Sequence, residues 1–107
     1  MNGLSMDLAE GAPPVLHVRG DLDMANADEF GAALKQALSE NPNLVLDLAA
    51  LTFIDAAGLR VILTSAESLD GFRPLTLVNG SRVAWLLELV GLDELPSIHF
   101  CDGRSRQ

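Results

Sequence analysis

The sequence predicts an α/β fold in which a mixed, mostly parallel β-sheet is flanked by about three helices. Two observations indicate this class. Short apolar segments that are typical of strands alternate with longer segments whose apolar residues recur at helical spacing. Helical connections of about 11 or more residues favour parallel crossovers between the strands that they join. The predicted order is β-β-α-β-α-β-α-β, with the first two strands paired as a hairpin.

The first half of the chain predicts two strands and one helix. Residues 4–9 form a weak strand, and residues 15–19 form a better one after a proline-containing turn. A loop at 20–23 leads to a helix that begins near Asn26, with Glu29 as its capping-box partner. The apolar residues of this helix share the spacing of one buried face: Phe30, Ala33, Leu34, Ala37 and Leu38.

The segment 44–63 organises the rest of the chain. Residues 44–48 read as a central strand, because they are apolar on both faces except at Asp47. A short turn holding Phe53, Ile54 and Asp55 follows, and a second helix is predicted over 56–69. An aspartate directly before a helix is expected to cap it, which stabilises a helix by about 1 kcal/mol.

The last third predicts a strand over 75–78, a helix from Ser81 to Gly91 and a strand over 98–101, followed by a polar tail at 103–107. Trp85 and Leu89 lie beside the apolar stripe of the third helix. We expect them to widen its core face. The alternative is an exposed patch for self-association or a partner.

The length and composition are those of one globular domain over 1–107, with its core at about 6–100. No apolar run approaches the about 20 residues that cross a bilayer, and the N-terminus lacks the basic and apolar segments of a signal peptide. The single Cys101 has no cysteine to pair with inside the chain. Together these features predict a cytoplasmic protein without membrane insertion.

The charge of the chain is strongly negative and unevenly distributed. The formal net charge is −8, and residues 1–59 hold nine acids and two bases, a net charge of −7. Residues 60–107 hold six acids and five bases, a net charge of −1. This balance disfavours direct nucleic-acid binding and predicts a basic protein partner for the acidic half.

Motifs for catalysis, metals and phosphates are missing from the sequence. It contains no GxxxxGK[ST], GxGxxG, CxxC, HExxH or GxSxG. His17 and His99 have no second ligand at metal spacing, and no signature organises Asp21, Asp23, Asp47 and Asp55 as paired catalytic carboxylates. We therefore expect a binding protein rather than an enzyme, with no metal and no cofactor.

Three segments carry a resemblance to a known family: GDLD at 20–23, LVLDL at 44–48 and LTFIDAAGLRVIL at 51–63. Together they resemble the STAS domain of anti-sigma factor antagonists, over about Met6 to Phe100. The resemblance implies a single STAS-type domain that binds an anti-sigma factor, often a serine kinase, and so frees a sigma factor for transcription. It leaves the oligomeric state open, a homodimer included. It places the partner surface at Asp21, Asp23, Asp55, Ala56, Ala57, Gly58 and Arg60.

The chain departs from the family at one position. The family's kinase phosphorylates a Ser or Thr directly after its aspartate, but Ala56 follows Asp55 here, and Ala57 also lacks a hydroxyl. No phosphorylation is therefore expected at Ala56. Three interpretations remain open: an antagonist that is always competent to bind, a scaffold or pseudo-substrate that does not switch, or a serine replaced by alanine through engineering.

A second function is compatible with the same resemblance. STAS proteins also serve as subunits that dock on the ATPase of bacterial lipid-transport ABC complexes. A neighbouring gene for a sigma factor or anti-sigma kinase would favour the first function, and one for a permease would favour the second.

Overall fold

The computed structural model describes residues 3–67, 74–89 and 98–101. In chain order the elements are β1 (Leu4–Ala9), β2 (Val15–Leu22), α1 (Ala27–Glu40), β3 (Val45–Ile54), α2 (Ala56–Glu67), β4 (Leu75–Val78), α3 (Ser81–Leu89) and β5 (Ile98–Phe100). The predicted element order is confirmed. The predicted ends of the second and third helices at 68–71 and 90–91, and the tail at 103–107, lie outside the described residues.

The five strands form one sheet in the order β1-β2-β3-β4-β5. β1 pairs with β2 in antiparallel fashion, and the other neighbouring pairs are parallel. The mixed, mostly parallel sheet with three helices is thus confirmed. Buried residues of all three helices join the inward-facing strand residues in one hydrophobic cluster, so the helices cover the same face of the sheet. None of the helices in the described ranges has the length and apolar character needed to span a membrane.

The central strand β3 is longer than its sequence pattern predicts. Its register against β2 shifts twice, because β3 carries one extra residue between Asp47 and Ala50 and another between Leu51 and Phe53. Each shift is a β-bulge, which interrupts the alternation of side chains. The buried residues of β3 therefore follow spacings of two and then three: Leu46, Leu48, Leu51 and Ile54. Strict alternation ends at Leu48, which is why the sequence predicts the end of the strand there.

A carboxylate supports each bulge. Oδ1 of Asp47 accepts a hydrogen bond from the backbone N–H of Ala49 at 3.0 Å. At the second bulge, the hydroxyl of Thr52 donates to Oδ1 of Asp21 on the neighbouring strand at 2.7 Å. Since a bulge leaves its extra residue outside the regular ladder, these side chains supply bonds that the strands do not.

The predicted capping box of α1 is wrong. Asn26 is the N-cap residue, but its side chain makes no capping hydrogen bond to the helix. Its amide nitrogen donates to the carbonyl of Asp21 at 2.9 Å, and its Oδ1 accepts from the N–H of Asp23 at 3.0 Å. The side chain braces the β2–α1 turn instead, because that turn offers it both a donor and an acceptor.

The predicted core face of α3 is also too wide. Trp85 and Leu89 are 59% and 64% exposed. The buried face of α3 consists of Val83, Ala84 and Leu87. The alternative that the sequence left open, an apolar patch on the surface, describes the structure.

Candidate partner-binding edge

The three predicted aspartates of the partner surface meet at one edge of the sheet. Asp21 pairs with Phe53 and Leu22 with Ile54 at the carboxyl ends of β2 and β3. Asp23 and Asp55 directly follow these strands. The backbone N–H of Asp55 donates to the carbonyl of Leu22 at 3.2 Å, which ties the two strand ends together. In open α/β sheets, ligands bind at the carboxyl ends of parallel strands.

Asp55 caps α2, as the sequence predicts. Its Oδ1 accepts hydrogen bonds from the backbone N–H groups of Ala57 at 2.9 Å and Gly58 at 3.1 Å. These groups are among the donors that a helix start leaves without a partner. Within the described residues, Oδ2 of Asp55 accepts no hydrogen bond. One oxygen therefore holds the helix, while the other keeps its acceptor capacity.

Gly58 is a steric requirement of this edge. A Cβ built on Gly58 would lie 2.6 Å from Cγ of Leu22 and 3.1 Å from Cγ1 of Ile54. Both of these side chains are buried. The absence of a side chain at Gly58 lets α2 start directly against the ends of β2 and β3, which brings Asp55 and Ala56 beside Asp21.

The other two aspartates are held by local hydrogen bonds. Oδ1 of Asp21 accepts the bond from Thr52, and Oδ1 of Asp23 accepts one from the backbone N–H of Ala25 at 3.0 Å. Both residues are half-buried, so their carboxylates remain within reach of solvent. The arrangement concentrates negative charge at the entrance of α2, and none of these three carboxylates forms an ion pair with another described residue.

The helical members of the predicted site differ in exposure. Ala56 is exposed, Ala57 is half-buried and Gly58 is buried. Arg60 is exposed and lies four residues after Ala56, on the same side of the helix. Arg60 also lines a groove between α1 and α2, so it stands one turn away from the acidic edge and not among the aspartates.

Two apolar residues of this edge were missed by the sequence reasoning. Met24 is 78% exposed in the β2–α1 turn, and Phe53 is 49% exposed at the end of β3. Met24 is apolar but precedes the buried stripe of α1. Its position outside that stripe is a sequence signal for an exposed apolar side chain. Phe53 could not be placed without knowledge of the bulge at Thr52. Exposed apolar side chains beside charged ones are typical of protein interfaces.

A separate polar cluster lies on the sheet face away from the helices. Nδ1 of His17 and Oδ2 of Asp47 are 2.7 Å apart, and the side-chain amide of Asn79 donates to Oδ1 of Asp47 at 2.9 Å. Partial burial raises the pKa of Asp47, but the hydrogen bonds from Asn79, Ala49 and His17 outweigh that effect and hold the pKa below 3.8. Among the described residues, no group of three or more His, Cys, Asp or Glu side chains could hold a metal ion.

Comparisons with known proteins agree with this architecture. Residues 6–97 match the family model described as Mlab, STAS domain. The anti-sigma-F factor antagonist RsfB of Mycobacterium tuberculosis is 29% identical over 82 residues, which are 75% of this chain and 67% of that protein. An anti-sigma factor antagonist from Mycobacterium paratuberculosis has a similar structure, with a TM-score of 0.77 at 24% identity over 91% of this chain and 86% of that one.

The antagonist SpoIIAA has the same fold. Its unphosphorylated form superposes with a TM-score of 0.67 at 18% identity, over 92% of this chain and 90% of that one. The phosphorylated form of this Bacillus protein gives a TM-score of 0.65 at 17% identity, over 92% and 93% of the two chains. The resemblance that the motifs indicate is therefore confirmed, and the chain belongs to the STAS domain family.

Proposed function

We propose that this chain is an anti-sigma factor antagonist, which binds an anti-sigma factor in the cytoplasm and so releases a sigma factor. The observation that carries the proposal is the convergence of Asp21, Asp23 and Asp55 beside the exposed start of α2. The antagonist relatives RsfB and SpoIIAA support it. The chain acts here as a binding module and not as an enzyme.

The chemistry of this edge defines the partner surface. Three carboxylates favour a basic patch on the anti-sigma factor, and complementary charge accelerates association and fixes orientation. Met24 and Phe53 add apolar area that a partner can bury. The complete proposed surface comprises Asp21, Asp23, Met24, Phe53, Asp55, Ala56, Ala57, Gly58 and Arg60.

Substitutions within this surface test the proposal by calorimetry with the anti-sigma factor. We expect Asp23→Ala and Arg60→Glu each to weaken binding by about tenfold or more, because the first removes and the second reverses a charge that the partner meets. Asp7→Ala is the matched control for Asp23→Ala, since Asp7 is exposed on β1 and pairs with His17, towards the other end of β2. Equal affinity of Asp23→Ala, Arg60→Glu, the control variant and the parent protein would place the interface elsewhere.

The missing hydroxyl makes binding at this edge independent of phosphorylation at position 56. SpoIIAA exists in a phosphorylated form, whereas Ala56 has no oxygen that could accept a phosphoryl group. We propose that the partner is a serine-kinase type of anti-sigma factor that binds the chain without modifying it there. After incubation with the partner and ATP, mass spectrometry is expected to find no phosphate over residues 55–58.

Restoring the hydroxyl provides the complementary experiment. Ala56→Ser places a hydroxyl at the exposed start of α2, where the helix N-terminus accommodates a phosphate. We expect the variant to become phosphorylated and to lose the complex, because a phosphate adds about −1.5 to −2 charges beside three aspartates. Phosphate on Thr64 of the parent protein, whose side chain is exposed, would instead reveal a switch at another position.

The alternative of a lipid-transport subunit has less support, since the named relatives are anti-sigma factor antagonists. A pull-down from the native cell separates the two functions. Recovery of an anti-sigma factor supports the proposal. Recovery of a transporter ATPase in its place would overturn it.

A further inference from the structure

A groove of about 280 Å³ lies between α1 and α2, outside the acidic edge. Six residues line it: Gly31, Lys35, Arg60, Val61, Thr64 and Ser65. The floor is largely apolar and is formed where Gly31 faces Val61. A Cβ built on Gly31 would lie 3.3 Å from Cγ1 of Val61, so the missing side chain lets the two helices approach closely at the floor.

Two positive charges stand at this groove although the chain is strongly acidic. The protein has seven Lys and Arg residues against fifteen Asp and Glu residues, yet Lys35 and Arg60 lie on opposite walls of one depression. Both residues are exposed. Within residues 3–67, 74–89 and 98–101, neither makes an ion pair or a hydrogen bond. Their donors are thus available to a ligand.

We infer that this groove binds a small organic anion, a carboxylate or phosphate monoester that carries a short apolar body. The guanidinium of Arg60 offers the planar pair of donors that carboxylates and phosphates accept, and Lys35 supplies a second positive charge. The exposed hydroxyl of Thr64 can donate a further bond. The apolar body lies along Gly31 and Val61. The volume is just below the about 300–1,000 Å³ of pockets for drug-sized ligands, which fits a small molecule.

The charge pattern favours this class of ligand over an inorganic anion. Two exposed cations alone bind phosphate weakly in water, because solvent and salt screen them. Removing apolar surface from water at the floor supplies the additional affinity of an organic anion. Arg60 also belongs to the proposed partner surface, but binding of the anion requires no partner.

The test is a titration of the full chain with hexyl phosphate and with hexanoate at low ionic strength, followed by amide NMR shifts. We expect saturable shifts in the amides of Gly31, Lys35 and residues 60–65, at concentrations where inorganic phosphate produces much smaller ones. Equal affinity for inorganic phosphate and hexyl phosphate would overturn the inference, because the apolar floor would then contribute nothing. Absence of saturable shifts, or shifts centred on Ala56 and Gly58, would overturn it as well.

Three variants sharpen the test, with circular dichroism to verify that each is folded. Lys35→Gln should weaken binding by about tenfold, whereas Arg19→Gln, which removes the same charge on a distant strand, should leave the affinity unchanged. Gly31→Ala narrows the floor and is compatible with a helix. The Gly31→Ala variant should weaken the binding of hexyl phosphate more than the binding of inorganic phosphate. If Lys35→Gln leaves anion binding intact and instead weakens capture of the anti-sigma factor, the groove is a protein contact and the inference fails.

Discussion

Replacing Asp55 by alanine and by asparagine separates its role in the fold from its role toward a partner. Oδ1 of Asp55 accepts the N–H groups of Ala57 and Gly58, at 2.9 and 3.1 Å. Alanine removes this acceptor, and loss of an N-cap costs about 0.5–2 kcal/mol. Asparagine retains a side-chain oxygen at the same position and is about as good an N-cap as aspartate.

The expected stabilities of the two variants therefore differ. Asp55→Ala should lower the free energy of unfolding by about 1 kcal/mol, which corresponds to a melting temperature lower by roughly 4–8 °C in a domain of this size. Asp55→Asn should stay within about 0.5 kcal/mol of the parent protein. Urea unfolding followed by circular dichroism measures both changes.

Binding to the anti-sigma factor should rank the same variants differently. Both lack the negative charge, so calorimetry should show weaker binding for both when the partner recognises the carboxylate. An asparagine variant that binds like the parent protein would assign Asp55 to helix capping alone. An asparagine variant as unstable as the alanine variant would refute the capping argument itself.

Three further predictions test other parts of the structure. Gly58→Ala should destabilise the fold by about 1–3 kcal/mol in urea unfolding, because its methyl group overlaps Leu22, whereas Gly3→Ala, with no atom near its added Cβ, should be tolerated. The pKa of Asp47 is lowered in the folded state, so its ionised carboxylate stabilises the fold. This stabilisation is fully present above a pH of about 3.8 and is lost as the pH falls through the folded pKa. The stability difference between the parent protein and Asp47→Asn should accordingly shrink in acid titrations, and a difference independent of pH would contradict the assignment. Trp85 is the single tryptophan, and acrylamide should quench its emission readily in the folded protein. Strong protection would refute its exposure.

The order of elements could be predicted because each depends on local chemistry. Asp55 caps the helix that follows it, and the stripe containing Phe30 and Leu34 has a period that only a helix can bury on one side. Such signals lie within a few residues of one another. They do not depend on how the other strands of the sheet are arranged.

The features that could not be predicted depend on contacts between distant segments. Asn26 has the right residue type for a helix cap, but the turn after β2 competes for its side chain. Trp85 has a spacing compatible with the core, yet the buried residues of α3 are Val83, Ala84 and Leu87, and Trp85 lies outside this face. In the candidate site, the three aspartates were expected together from the family resemblance and the acidic bias of residues 1–59, whereas the exposure of Phe53 follows only once the bulge at Thr52 is known.

The two bulges of β3 determine where this domain tolerates a change in length. In a regular strand, removal of one residue turns every following side chain to the opposite face. Removal of Thr52 has the reverse effect, because Leu51, Phe53 and Ile54 would then alternate inward, outward and inward without a break. Removal of Ala49 likewise places Leu48 and Leu51 two positions apart, which is the regular spacing of residues on one face of a strand. Single-residue deletions are thus compatible with the core inside the most central strand, and deletion of Thr52 would release Asp21 while the hydrophobic layer stays in register.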